Sequence, residues 1–468
     1  MGDRPAPVVI RRWASGRPRG VPHVEIACDE SGFAGGNLVG GHAPVLAHAS
    51  VRIDAETAAA VMAGLRARMA GGPRGELKAG AVLRRPALAR ELLAPGGPLA
   101  GAARVHLVDT VYFALARLAD LLIPADLPAP AGILIPADLP APADLPAPAD
   151  LPARAGLPDP AELPAPGLLG MATLGTGLPG RSPAARHAAR VLRARGPAVY
   201  GPERWRRFLI SASDLMRTNS RWTAPEPVAP FTAALDDLLA TPGEVADVLR
   251  PMRDRLPAAV AARAALKADP KLPTLLEPVV PALARAVAIW APSDGTLSVV
   301  HDDQTAVTPE RIATIAAGTA LVEVTIVDSR TDPRVQVADL LAGIARRVAS
   351  DHLAAATDHL AAATDHPASP QSAAVTHKAS EHPPAATPSA NTRPAPANHS
   401  ASTRPAPANH SASEHPAAAT HSASVHLASL TMLLRPLIDP GSTWADAASW
   451  TALTAAEAPA TSPPASAA

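Results

Sequence analysis

Two repetitive tracts limit what this chain can fold into. The first, residues 123–182, repeats IPADLPAP and then ADLPAP, and its closely spaced prolines exclude helices and central strands. The second, residues 351–426, repeats DHLAAAT and TRPAPANHSAS and has almost no bulky apolar residues to offset the entropy cost of ordering. We therefore predict two disordered low-complexity insertions, which leave roughly 300 residues for a folded core.

The remaining segments are expected to form a single discontinuous domain, made of residues 23–122, 183–350 and 427–450. These segments have the mixed composition that a core needs. Residues 1–22 are basic and rich in Gly and Pro, and residues 451–468 are mostly Ala, Pro, Ser and Thr. We predict disorder at both ends of the chain.

The charge balance, the cysteine content and the apolar runs of the sequence bear on where in the cell the protein resides. Lys+Arg and Asp+Glu are both 42, so the zero net charge gives no general attraction to nucleic acid or membranes. Cys28 is the only cysteine, which excludes an internal disulfide and fits a reducing cytoplasm. Arg11 and Arg12 are not followed by the apolar stretch of an export signal, and no apolar run is long enough to span a membrane. We predict a cytoplasmic protein.

The ordered segments alternate between strand and helix patterns. Helices are predicted over 54–70 with Asp54 as N-cap, over 308–318, and over 334–350, while residues 183–290 read as mainly helical. Strands are predicted at 24–29, 44–53, 104–109, 297–303 and 321–328. The strand–helix–strand–helix run that ends at residue 350 is typical of a parallel sheet with both faces covered. The sequence therefore indicates an α/β fold.

Carboxylates occur at the ends or faces of these elements. Asp29 closes the first strand and is followed by Glu30, Asp302 ends the strand LSVVHDD, and Asp339 lies in the last helix. Gln336, Asp339 and Gly343 have the spacing of one helix face. Charges at the end of a buried strand are costly unless they are paired, hydrogen-bonded or bound to a metal. Asp109, at the end of RVHLVD, is a rival to Asp302 for the central acid.

Such a set of acids suits a hard divalent cation. Mg²⁺ and Mn²⁺ prefer oxygen ligands, and a few converging carboxylates hold them with water and substrate phosphate. Metal ions held in this way activate water and stabilise the leaving oxygen in phosphodiester hydrolysis. We predict that Asp29, Asp302 and Asp339 bind Mg²⁺ or Mn²⁺.

Several motifs, taken in order, resemble the DUF3800 family. They are DESG at 29–32, ELK at 76–78, HDDQ at 301–304 and DSRTDPRVQVADLLAG at 328–343, with the ending DPGSTWADAASW at 439–450 similar to actinobacterial members. The family pattern is an N-terminal Asp-Glu pair and a C-terminal Gln-x-x-Asp. The resemblance implies a ribonuclease H-like mixed sheet with flanking helices, in which acids come from the first strand, a central strand and the final helix. The long helical segment 183–290 departs from that pattern and is interpreted as an insertion.

The resemblance adds candidate site residues. Glu76 would supply a further carboxylate and Lys78 a phosphate contact, while Glu30 would assist and Gln336 would orient substrate or a ligand. The leading hypothesis is a metal-dependent phosphodiesterase, specifically a nuclease. The alternative is a non-catalytic binding module in which the Asp-Glu and Gln-x-x-Asp groups form a structural hydrogen-bond network.

One basic and aromatic cluster offers a contact for nucleic acid. Arg204, Arg206 and Arg207 surround Trp205, so the arginines would bind phosphates while the tryptophan stacks on a base. The alternative is a solvated helix face with a core tryptophan. Arg346 and Arg347 are interpreted as favourable charges near a helix C-terminus.

Overall fold

The computed structural model describes most of the predicted domain. Residues 124–178 and 365–425, which make up most of both predicted insertions, lie outside the described residues. So do Glu76 and the extreme ends of the chain. The described residues are 8–11, 20–33, 38–39, 43–69, 77–123, 179–180, 182–217, 226–268, 274–364 and 426–455.

Within these residues the chain forms one six-stranded mixed sheet. The strands are β1 (Val8–Arg11), β2 (His23–Ser31), β3 (Val45–Val51), β4 (Ala103–Asp109), β5 (Thr296–Asp302) and β6 (Leu321–Val327). Their order across the sheet is β1-β6-β5-β2-β3-β4. Strands β2, β5 and β6 are parallel, whereas β1, β3 and β4 pair antiparallel to their neighbours. The predicted α/β class and the mixed sheet are confirmed.

Helices cover both faces of this sheet. The prediction of an Asp54 cap is confirmed, because its carboxylate accepts from the backbone NH of Thr57. The helix Pro183–Met216 is broken at Gly201, where φ is +73°. The helices are Ala55–Arg68, Ala79–Leu83, Pro86–Leu93, Thr110–Leu122, Pro183–Met216, Val228–Leu239, Glu244–Asp254, Leu256–Ala268, Val279–Trp290, Pro309–Ala317, Pro333–Thr364, 426–434 and Ala447–Thr454.

Two cores lie on the two sides of the sheet. On one side, Ala27 and Val300 pack with the helix Pro333–Thr364, which we call the closing helix. On the other, Cys28 and Val299 pack with the helices between residues 110 and 290. Because successive strand residues point to opposite faces, β2, β3, β4 and β5 each contribute to both cores. The same alternation explains why Cys28 is fully buried.

Three boundaries differ from the sequence prediction. Residues 8–11 form a strand on β6, although 1–22 were expected to be disordered. The closing helix continues to Thr364 instead of ending at 350, because the alanine-rich repeat favours helix and Leu353 is buried. The last helix extends to Thr454, beyond the expected domain end at 450, and buries Leu453.

The C-terminal segment is fixed to the sheet by a buried ionic network. Asp439 accepts from Arg285 at 2.8 and 2.9 Å and lies 2.8 Å from Nδ1 of His106 on β4. Trp444 and Trp450 are buried and also hold this segment in place. None of the helices among the described residues is long and apolar enough to cross a membrane.

Candidate functional site

Asp29 lies at the carboxyl end of β2 in an environment that disfavours its charge. The side chain is 5% exposed, and its Oδ1 accepts from the backbone NH of Glu30 at 2.7 Å. Burial is the main cause that raises its pKa to about 9, and repulsion by Glu30, Asp302 and Asp339 raises it further. The fold therefore brings these carboxylates from two strands and a helix near enough to repel one another.

Strand pairing explains how Asp302 reaches this place. β5 runs parallel to β2, with Cys28 opposite His301, so the carboxyl ends of the two strands meet. Asp302 follows His301 and therefore shares the face of Val300, which packs against the closing helix. One oxygen of Asp302 accepts from the backbone NH of Ser329 at 2.8 Å, which holds the carboxylate against the next loop.

The closing helix supplies the other polar groups of the site. Asp339 contacts Lys78 with an Nζ–Oδ2 distance of 3.2 Å, and Gln336 accepts from Arg66 at 2.6 Å. The helix Ala79–Leu83 reaches this position because Gly343 has no side chain, and a methyl group there would overlap Ala79. This close approach at Gly343 places Lys78 beside the acids.

Arg346 is a site residue that sequence reasoning missed. Its Nε donates to Ser31 Oγ at 3.0 Å, next to the acid pair on β2. Gly32 allows this packing, because its φ is +99° and a side chain there would overlap both Arg346 and the backbone of Val45. The helix-dipole interpretation of Arg346 is wrong, since the helix continues well beyond it. Arg346 follows Asp339 by seven residues, or two helical turns, so the sequence alone could have placed both on one helix face.

The Asp29-Glu30 pair is divided by the sheet. Glu30 points to the opposite face from Asp29, where its register partner on β3 is His48. Gln304 donates to Oε1 of Glu30, and Oε2 lies 4.0 Å from Nε2 of His301. Glu30 contributes negative charge near Asp29 but has its own set of neighbours.

The rival acid, Asp109, has a structural role. It is fully buried and caps the helix Thr110–Leu122 by accepting from the backbone NH groups of Val111 and Tyr112 at 3.1 and 3.0 Å. Its other oxygen accepts from Arg193 at 2.8 Å. Both oxygens are therefore engaged, which favours Asp302 as the acid that joins Asp29.

The predicted base-stacking cluster is only partly available. Trp205 is buried and stacks on Tyr200, so the prediction that it stacks on a base is wrong. Arg204 donates to Asp237 at 2.9 Å and to Thr241 at 3.2 Å. Arg206 and Arg207 are exposed. The apolar face of the helix had to be buried against its neighbours, and the tryptophan belongs to that face.

The carboxylates of Asp29, Asp302 and Asp339 are not arranged as a complete metal-binding site. Across the part of the chain that the structure describes, no three or more His, Cys, Asp or Glu side chains are arranged as ligands of one ion. Asp29, Asp302 and Asp339 interact through their charges, but their oxygens are not gathered around one point.

Comparisons with known proteins give no further assignment. No family model matches the chain, and neither the curated proteins nor the solved structures contain a significant match.

Proposed function

We propose that this protein is a divalent-metal-dependent phosphodiesterase, specifically a nuclease, that uses Asp29, Asp302 and Asp339. The observation that carries the proposal is that the carboxyl ends of β2 and β5 meet, which brings Asp302 near the buried carboxyl of Asp29. Burial and then the charges of Glu30, Asp302 and Asp339 raise the pKa of Asp29. Bringing like charges together at a buried strand end lowers the free energy of unfolding. A cation that the acids share would reverse this cost.

The donor set fits Mg²⁺ or Mn²⁺. Carboxylate oxygens are hard ligands, and an acid whose ionisation is disfavoured gains most when a cation replaces its proton. Asp29 and Asp339 would hold the ion, with Asp302 fixed by the Ser329 backbone NH. When bound, the ion supplies Lewis acidity and an activated water.

The cations around the acids suit a phosphate ester. Lys78 lies next to Asp339, Arg66 donates to Gln336, and Arg346 donates to Ser31, so three positive groups border the acidic centre. Lysine and arginine bind phosphate oxygens by charge-assisted hydrogen bonds. In the proposal they position the substrate phosphate, and Gln336 orients it.

The arrangement of the acids also supports a ribonuclease H-like domain of the DUF3800 type. The acids come from β2, which is a central strand, from its parallel neighbour β5, and from the closing helix. The resemblance implies acids from the first strand, a central strand and the final helix; here the short β1 precedes β2, and two further helices among the described residues follow the closing helix. The exposed Arg206 and Arg207 would contribute phosphate contacts to a nucleic-acid substrate.

The second candidate is a non-catalytic binding module. The contacts of Arg66 with Gln336 and of Lys78 with Asp339 favour it, because they use the Gln-x-x-Asp groups to join helices. Under this proposal Asp339→Asn lowers stability and divalent ions have no effect.

Cleavage of labelled DNA and RNA oligonucleotides in Mn²⁺ tests the leading proposal. Asp339→Asn and Asp302→Asn should each reduce the rate at least about 100-fold, the scale of removing one charge-stabilising group. Asp303→Asn changes an exposed neighbour of Asp302 and should retain activity. Equal cleavage rates in all variants, or no cleavage by the wild type, would refute the nuclease.

A further inference from the structure

On the face of the sheet away from the closing helix, three buried side chains meet with unused polar atoms. Oε2 of Glu30, Nε2 of His301 and both ring nitrogens of His48 have no hydrogen-bond partner. Both histidines are almost completely buried, and the Glu30 side chain is 9% exposed. Leaving such buried atoms without a hydrogen-bond partner lowers the stability of the fold, so their presence together requires an explanation.

The hydrogen bond made by Nδ1 of His301 determines whether its Nε2 carries a proton or a lone pair. Nδ1 lies 2.9 Å from the carbonyl oxygen of Asp302, which accepts but does not donate, so Nδ1 carries the proton. Neutral His301 therefore presents a lone pair at Nε2. This lone pair faces Oε2 of Glu30 at 4.0 Å. Two acceptors that face each other in a buried site need a positive charge between them.

We propose that Glu30, His48 and His301 form an inner cation site that binds a borderline-soft ion of the Zn²⁺ class. Imidazole nitrogens and a carboxylate oxygen are the ligands such an ion prefers, at about 2.0–2.2 Å. The ring centroids of His48 and His301 are 5.6 Å apart. Two imidazoles that share one tetrahedral ion have centroids about 5 Å apart by the same bond lengths.

The surroundings match those of known metal ligands. A metal-binding histidine usually donates its other N–H to a backbone carbonyl, as His301 does, and ligating carboxylates are themselves hydrogen-bonded, as Glu30 is by Gln304. Burial and the neighbouring imidazoles hold the pKa of His48 well below its usual range, so its ring is neutral and able to ligate. Burial, and to a smaller extent the charge of Glu30, raises the pKa of the nearby Glu277 to about 7.

A third histidine on this face shows what a structural role looks like. His106 is opposite His48 on β4, and its ring nitrogens contact Asp439 at 2.8 Å and Thr443 at 3.5 Å. His48 and His301 have no such partners on the nitrogens named above. As they stand, no three ligands among the described residues surround one point, and the 4.0 Å separation would shorten by about 0.6 Å on binding.

Thermal unfolding of the metal-free full chain with added Zn²⁺ tests this site. Histidines elsewhere in the chain also attract Zn²⁺, so stabilisation of the fold is the readout rather than total zinc bound. At a hundredfold excess over Kd, Zn²⁺ should raise the Tm of the wild type by about 5 °C. Asp339→Asn, which alters only the acidic centre on the other face, should retain the shift. His301→Gln and Glu30→Gln should lose it.

Co²⁺ provides a second readout if a variant folds poorly. Four-coordinate Co²⁺ absorbs visible light much more strongly than six-coordinate Co²⁺, so the wild type and Asp339→Asn should develop strong absorption. Glu30→Gln, which keeps the size of the side chain, should not. An equal Zn²⁺ shift in the wild type and both site variants would overturn the proposal, as would the absence of any shift. Loss in Asp339→Asn alone would assign the zinc to the acidic centre instead.

Discussion

Replacing Asp29 by Asn should stabilise the metal-free protein. The pKa of this carboxyl rises from 3.8 to about 9 on folding, mainly because it is buried and secondly because Glu30, Asp302 and Asp339 repel its charge. Folding thus keeps a proton that the unfolded chain releases. A raised acid pKa gives stability that is fully present below the unfolded pKa and is lost as pH rises toward the folded pKa.

The size of the effect follows from linkage. A pH of about 7 lies roughly 3 units above the pKa of the unfolded carboxyl. At 1.36 kcal/mol per unit, keeping this carboxyl protonated in the folded state costs about 4 kcal/mol of stability. Neighbouring carboxylates titrate together with Asp29 and share the effect. We therefore expect Asp29→Asn to gain about 2–4 kcal/mol, or about 5–10 °C in Tm.

Circular dichroism melts in a chelating buffer measure this gain at about pH 7 and again at about pH 4, where it should shrink to about 0.6 kcal/mol because the unfolded carboxyl is then only about half ionised. Asp303→Asn is the matched control, because it removes an exposed charge beside the site. The order should reverse with Mn²⁺, which stabilises only the wild type. A variant at Asp29 that melts at or below the wild-type temperature at neutral pH would refute the reasoning.

Three further predictions concern the supports of the site. Asp439→Asn should cost about 3–5 kcal/mol in urea unfolding, because it breaks a buried ion pair. Hydrogen bonds to Arg285 and His106 hold the pKa of Asp439 well below its usual range, so the stability that Asp439 contributes should be lost only as pH drops below about 4. Gly343→Ala should displace Lys78 and weaken the binding of a labelled oligonucleotide, because Lys78 is a proposed phosphate contact, whereas Gly64→Ala, which meets no atom, should leave it unchanged. Equal affinities would contradict the packing argument. Trp205→Ala should lose about 3–5 kcal/mol of stability because it empties a core position, and unchanged stability with loss of oligonucleotide binding would restore the stacking role.

The sequence predicted the elements well where local patterns and burial agree. Asp54 caps a helix because its side chain satisfies a free backbone NH, and the alternation of β5 places Asp302 on a chosen face. The parallel pairing of β5 with β6 followed from the strand–helix–strand pattern. These features depend on short-range rules.

Contacts between distant segments were not predictable in the same way. Arg346 reaches Ser31 only because Gly32 leaves space. Glu30 and Asp29 point to opposite faces because β2 stays paired with β3 as far as Ser31. Asp109 was a rival candidate for the central acid, but Arg193 and two backbone NH groups donate to its oxygens. Each depends on which helix packs on which face, which a single sequence does not encode locally.

Mn²⁺ titration by isothermal calorimetry tests the central claim most directly, that Asp29, Asp302 and Asp339 share a cation. The wild type should bind Mn²⁺ and release protons to the buffer, because the Asp29 carboxyl must ionise to ligate. Asp29→Asn and Asp339→Asn should each lose this binding, while Asp303→Asn should retain it. Binding of equal affinity in all four proteins, or in none of them, would contradict the account.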